Sequence, residues 1–157
     1  MVVEGDGLQG KLVPALERLL AHWRKSYGIR PIPERSRLNI RDLGPWLPHA
    51  AWIEVGGDGG PIVRRFGIEL IRRFGREATN DRIGDLAPDV AAGLRALIGQ
   101  ATATSAPAIG TASVQLGRHP ASFSELALPL AADGARIGLV LLASYEVIGP
   151  RPRGAFR

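Results

Sequence analysis

The sequence predicts an α+β domain with one core, and three observations carry that prediction. An amphipathic helix stands near the start, two short strand-like runs flank a glycine cluster, and the last third is almost wholly strand-like after a longer helix. With 157 residues, the chain is long enough to bury one core and too short for two independent ones.

The elements follow in order. Leu8, Leu12, Leu16, Leu19, Leu20, Trp23 and Tyr27 recur at three- and four-residue spacing, which draws one apolar stripe along a helix. Pro14 suits a first turn and Gly28 a stop, so the regular helix begins around Val13 and residues 1–10 read as a flexible leader. Pro31, Pro33, Pro45 and Pro48 then restrict regular structure to a short helical turn over Asn39–Trp46, with Asn39 as its cap. The run from His49 to Val55 alternates, with Ala51, Ile53 and Val55 on one face and Trp52 and Glu54 on the other. After the Gly56–Gly60 turn, Pro61–Gly67 supplies a second strand, giving an antiparallel hairpin with a five-residue loop.

Ile68–Phe74 reads as a short helix burying Leu70, Ile71 and Phe74, and Asp85, Leu86 and Pro88 mark a turn. The helix from Pro88 to Thr104 buries Val90, Leu94, Leu97, Ile98 and Ala101. Three antiparallel strands close the order: Ala108–Leu116, Phe123–Ala131 and Ala135–Ile148, the last two joined at Asp133-Gly134. Proline donates no ladder hydrogen bond, so Pro129 implies an edge or an irregularity in the middle strand. The folded unit spans residues 11–148, and 149–157 form a flexible basic tail.

Composition excludes several classes of function. Apolar residues make up 45% and charged residues 22%, the balance of a chain that folds and not of a disordered one. The absence of cysteine removes disulfides, thiolate metal ligands and thiol nucleophiles together, and points to a reducing cytoplasm. The acidic, glycine-rich start lacks the pattern of a signal peptide, and no run is long enough to span a bilayer, so no membrane association is expected. The net charge is +5, but the basic residues are almost all arginines scattered along the chain, with only Lys11 and Lys25 as lysines. Such dispersal does not make a nucleic-acid surface.

Sites of chemistry are sparse. His22, His49 and His119 lie in three different elements, without metal-binding spacing, so no metal site is expected; a haem held by one axial histidine is the one cofactor arrangement they leave open. No cofactor is required by the sequence. There is no nucleophile elbow, phosphate loop or dinucleotide fingerprint. Glu125 has two readings. Buried, it needs a cation from Arg64, Arg65 or Arg136; alternation favours a solvent-facing place on the open side of the sheet, because Leu126, Leu128 and Leu130 claim the inner face.

A series of phrases resembles a family of short, largely stand-alone bacterial PAS proteins. They are Leu19-Leu20-Ala21-His22-Trp23-Arg24, the segment Pro31–Ile40 with Pro33 and Arg35, Leu47-Pro48-His49, Arg65-Phe66-Gly67 running to Phe74-Gly75-Arg76, Ile83-Gly84-Asp85-Leu86, and Glu125–Leu130 with Asp133-Gly134. The series covers Leu16 to Tyr145. One departure is that Phe66-Gly67 is followed by Ile68 where the family has threonine.

The resemblance implies a PAS-like fold: a five-stranded antiparallel sheet with helices on one face, and an amphipathic N-terminal helix beside it. It further implies a cytoplasmic sensory or regulatory module that is not an enzyme and that binds a small apolar ligand or docks a signalling partner. Ile53, Phe66, Ile71, Phe74, Leu94, Ile98, Leu126, Leu128 and Leu139 either line a ligand pocket between the inner sheet face and the short helices or simply fill the core. The apolar stripe of the first helix, Leu12, Leu16, Leu19, Trp23 and Tyr27, either packs on the domain's own sheet or, together with Trp52 of the exposed sheet face, forms a homodimer. The alternatives are a small α/β enzyme using Glu125 or a histidine as base, and a basic adaptor for nucleic acid.

Overall fold

Five strands, β1 (Ala50–Glu54), β2 (Ile62–Phe66), β3 (Ala108–Leu116), β4 (His119–Asp133) and β5 (Arg136–Glu146), pair antiparallel in one sheet of order β2-β1-β5-β4-β3. The structure is a computed structural model describing residues 12–26, 32–38, 40–116, 118–133 and 136–147. Its helices are α1 (Pro14–Lys25), α2 (Ile40–Leu43), α3 (Ile68–Phe74) and α4 (Pro88–Thr104). Single 3₁₀ turns at Arg35–Arg37, Leu47–His49 and Ile83–Asp85 complete the fold.

The expected elements form, with shifts at their ends. The first hairpin pairs as expected, but its strands stop earlier and Val55 to Pro61 form the loop. β4 begins at His119, four residues before Phe123. The expected leader 1–10, the stop at Gly28, the cap at Asn39, Gly134 of the last turn and the tail 149–157 lie outside the described residues. Pro129 sits in β4 beyond its last pairing with β3, Ala108 opposite Ala127, so no bond to β3 is lost there. Its carbonyl instead accepts a hydrogen bond from Trp23 Nε1 at 2.9 Å.

Both faces of the sheet are covered, and the alternation of each strand divides its side chains between two apolar layers. Ala51, Ile53, Val63, Ala127, Val140 and Leu142 face α4, where they meet Leu94, Leu97, Ile98 and Ala101. Trp52, Leu126, Leu128, Leu130 and Leu141 face the other way and pack with Leu16, Leu19, Leu20 and Trp23 of α1.

Two tethers fix α1 to this second face besides apolar burial: the Trp23 indole bond to β4, and a bond from Trp46 Nε1 to the Ala15 carbonyl at 2.8 Å. Of the two arrangements expected for the stripe, it takes the one on its own sheet, which corrects the dimer surface and not the dimer itself. Leu12, Leu16, Leu19, Trp23 and Trp52 are all buried within one chain, because the exposed sheet face that Trp52 was expected to present is the face α1 covers. Tyr27 lies outside the described residues.

The chain enters α3 through a tight passage at Gly67. A Cβ placed there would stand 2.4 Å from the carbonyl oxygens of both Leu47 and Pro48. Only glycine lets the Leu47–His49 turn press against the start of α3, which sets where the rest of that helix falls.

Candidate functional site

On the face opposite α1, the register of three strands assembles a polar spot inside an apolar layer. Glu125 of β4 lies opposite Gly110 of β3 on one side and Ser144 of β5 on the other. Glu125 and Ser144 are 6% and 4% exposed. The charge comes from α3, where Leu70, Arg73 and Phe74 share the inward side at three- and four-residue spacing.

The Arg73 guanidinium stands 3.6 Å from Glu125 Oε2 through Nη2, and both side chains are 8% exposed. Nη1 of Arg73 donates to Ser144 Oγ, and Ser144 Oγ donates to Glu125 Oε2 at 3.3 Å. The guanidinium also lies over the Phe123 ring, 3.7 Å from its centroid, and 4.8 Å from that of Phe74. Its Nε is buried with no hydrogen-bond partner.

Burial sets the electrostatics. Loss of water pushes the Glu125 carboxyl above its ordinary value, against the opposing pull of Arg73 and the Ser144 hydrogen bond. The same loss of water lowers the Arg73 guanidinium, with the Glu125 charge acting in the other direction.

The pair floors a groove of about 460 Å³ between α4 and β3, within the roughly 300–1,000 Å³ of small-molecule sites. Phe74, Val90, Leu94 and Leu97 supply apolar wall, and Gly110 and Ala112 of β3 the opposite side. Gly110 matters because a Cβ there would lie 3.2 Å from Leu97 Cδ1. Below the groove the layer is filled: the gap among Ile53, Phe66, Phe74, Leu94 and Leu142 leaves about 10 Å³, room for about one water.

The expected pocket therefore divides. Ile53, Phe66, Leu94 and Ile98 are buried on the α4 side, with Ile71 and Phe74 packed against them, while Leu126, Leu128 and Leu139 belong to the α1 side. The three leucines cannot line a cavity with the others, because strand alternation aims them through the sheet. Glu125 is corrected with them. It points inward, not to solvent, and its partner is Arg73 in place of Arg64, Arg65 or Arg136. Arg64 pairs instead with Glu54 at 2.8 Å.

None of the histidines lines the groove. His22 stacks on Trp46 at 5.8 Å between centroids, His49 on Tyr145 at 4.0 Å, and His119 is exposed. Among the described residues no group of three or more metal-ligating side chains occurs, and no helix is long and apolar enough to cross a membrane.

A family model described as "PAS domain" matches residues 12–141. Solved structures similar to this chain include a sensory box sensor histidine kinase from Vibrio cholerae, at 20% identity over 73% of this chain and 94% of that one, with a TM-score of 0.48. The PAS domain of a protein from Colwellia psychrerythraea is 10% identical over 69% of this chain and 96% of that one, with a TM-score of 0.49. A LOV protein of Rhodobacter sphaeroides is 11% identical over 76% and 72%, with a TM-score of 0.46. No curated protein matches the chain.

Proposed function

The chain belongs to the PAS domain family, and we propose that it senses a small molecule in the groove between α4 and β3, with Arg73 and Glu125 as the groups that recognise it. As a PAS domain it is a sensory and regulatory module. The observation that carries the finer reading is the buried, incompletely satisfied ion pair. Placing two charges in an apolar layer is unfavourable unless geometry and hydrogen bonding are good, and here the separation is 3.6 Å and one guanidinium donor has no partner. Titratable groups perturbed by burial beside a charged partner in a cleft, as Glu125 and Arg73 are, cluster at functional sites.

The ligand has a mostly apolar body and one compact polar head. Phe74, Val90, Leu94 and Leu97 receive the body, and the head reaches the floor. Both contacts of Glu125 fall on Oε2, which leaves Oε1 to meet the ligand's polar head. We read the protein as a binding module and not as a catalyst, acting in a bacterial cytoplasm and passing its signal to a partner protein. A homodimer, if formed, would use a surface other than the apolar stripe of α1, which is buried in the chain.

Amide NMR of the full chain titrated with a library of small amphipathic molecules tests this reading. Binders are expected to shift Gly93, Leu94, Gly110 and Ala112 first. Binders whose shifts fall only on the α1 side would remove the groove from the account.

A further inference from the structure

The nature of the polar head follows from what the floor lacks, granted that the groove is the ligand site. Arg73 lines the groove with its Nε buried and unpartnered, and its Nη2 is too far from Glu125 for a good hydrogen bond. A planar guanidinium with unused donors is best met by a planar oxyanion. An incoming anion would set two carboxylates about one guanidinium in a site shut off from water, and like charges so placed do not both stay ionised.

We propose that the groove binds a medium-chain aliphatic carboxylate, which accepts hydrogen bonds from Arg73 while Glu125 takes up one proton from solvent. The charges balance. Before binding, the floor holds one guanidinium and one carboxylate; afterwards it holds the guanidinium, the ligand carboxylate and a neutral Glu125, whose new O–H donates to the ligand's second oxygen. Burial already holds the Glu125 carboxyl above its ordinary value, so it is the group that protonates most readily.

The surroundings permit this assignment. Facing Glu125, α3 supplies Arg73, β5 supplies Ser144 and β3 supplies only Gly110. Asp89 of α4 lines the groove, but it is exposed and its Oδ1 accepts from the Val90 N–H. A separate surface cleft on the other side of Arg73 brings His49, Glu69, Arg72 and Glu146 near. Of these Arg72 pairs with Glu69 at 2.6 Å and His49 stacks on Tyr145.

Calorimetry of the full chain with octanoate and with octanamide, between pH 6 and 8.5 in buffers of different ionisation heat, is the test. Octanoate is expected to bind with uptake of one proton and to weaken by about tenfold per pH unit once free Glu125 is ionised. Glu125→Gln should abolish both the proton uptake and the slope, His49→Gln should leave both, and Arg73→Met should abolish binding. The wild-type proton count needs no variant to fold.

Octanoate binding without proton uptake overturns the proposal, as does octanamide binding equally well, or no binding of octanoate. If octanamide shifts the groove amides and octanoate does not, the groove remains the ligand site and only the carboxylate is wrong. If neither reaches the groove, the carboxylate assignment falls, and the groove falls with it only when the wider titration also shifts the α1 side alone.

Discussion

Arg73 of α3 meets Glu125 of β4 inside an apolar layer, 3.6 Å apart, with each side chain 8% exposed. Removing one partner leaves the other charge buried alone, a change that costs about 3–5 kcal/mol in comparable sites. Arg73→Met should therefore lower stability by about that amount in urea unfolding. The double variant Arg73→Met with Glu125→Leu should recover most of the loss, because an apolar pair needs no compensation.

The pH dependence of stability follows from the same burial. Burial raises the folded Glu125 carboxyl above its ordinary value, so between the unfolded and folded values the native state binds more protons than the unfolded state. Its contribution to stability falls as pH rises from about 4.5 through the raised folded value, and is level above it. Urea unfolding of the wild type and Glu125→Gln across that range should show the variant gaining relative stability with rising pH and then holding constant.

The bond from Trp23 to the Pro129 carbonyl spans the α1 layer. Trp23→Phe keeps most of the apolar volume but leaves a buried carbonyl unsatisfied, and should cost about 1–3 kcal/mol. Leu19 of α1, fully buried against the sheet, separates a core role from a dimer role. Leu19→Ala should cost about 2–5 kcal/mol without changing the mass measured by light scattering.

At Gly67 the turn before β1 presses on the start of α3, with no space for a side chain. Gly67→Ala should lower stability by about 1–3 kcal/mol, read as a lower thermal midpoint. Because α3 carries Arg73, the variant should also loosen the groove floor, seen as shifted amides at Glu125 and Ser144.

Much of the architecture was legible in the sequence because local chemistry marks it. Pro14 and Pro88 open their helices, the Gly56–Gly60 cluster turns the hairpin, and Pro88–Thr104 forms over the expected residues. The site was harder to read. Alternation in β4 separates Leu126, Leu128 and Leu130 from Glu125 and Ala127, but it does not say which layer covers which face. With both faces covered, both parities are buried, and the larger side chains turned towards α1.

Arg73 was missed because an arginine on a short helix reads as solvated. A usable signal was its position three residues after Leu70 and beside Phe74, on the side that packs inward. That spacing could place the side chain, but only strand register reveals that Glu125 and Ser144 wait for it there.

Native mass spectrometry of freshly purified wild type and Gly93→Phe tests the ligand site most directly. Gly93 lines the groove and has open space where a Cβ would stand, so phenylalanine should fill the groove, and replacing glycine within a helix should favour the fold. A small molecule should co-purify with the wild type and be absent from a folded Gly93→Phe. The same mass retained by both would contradict this, because a ligand held with the groove filled must sit elsewhere.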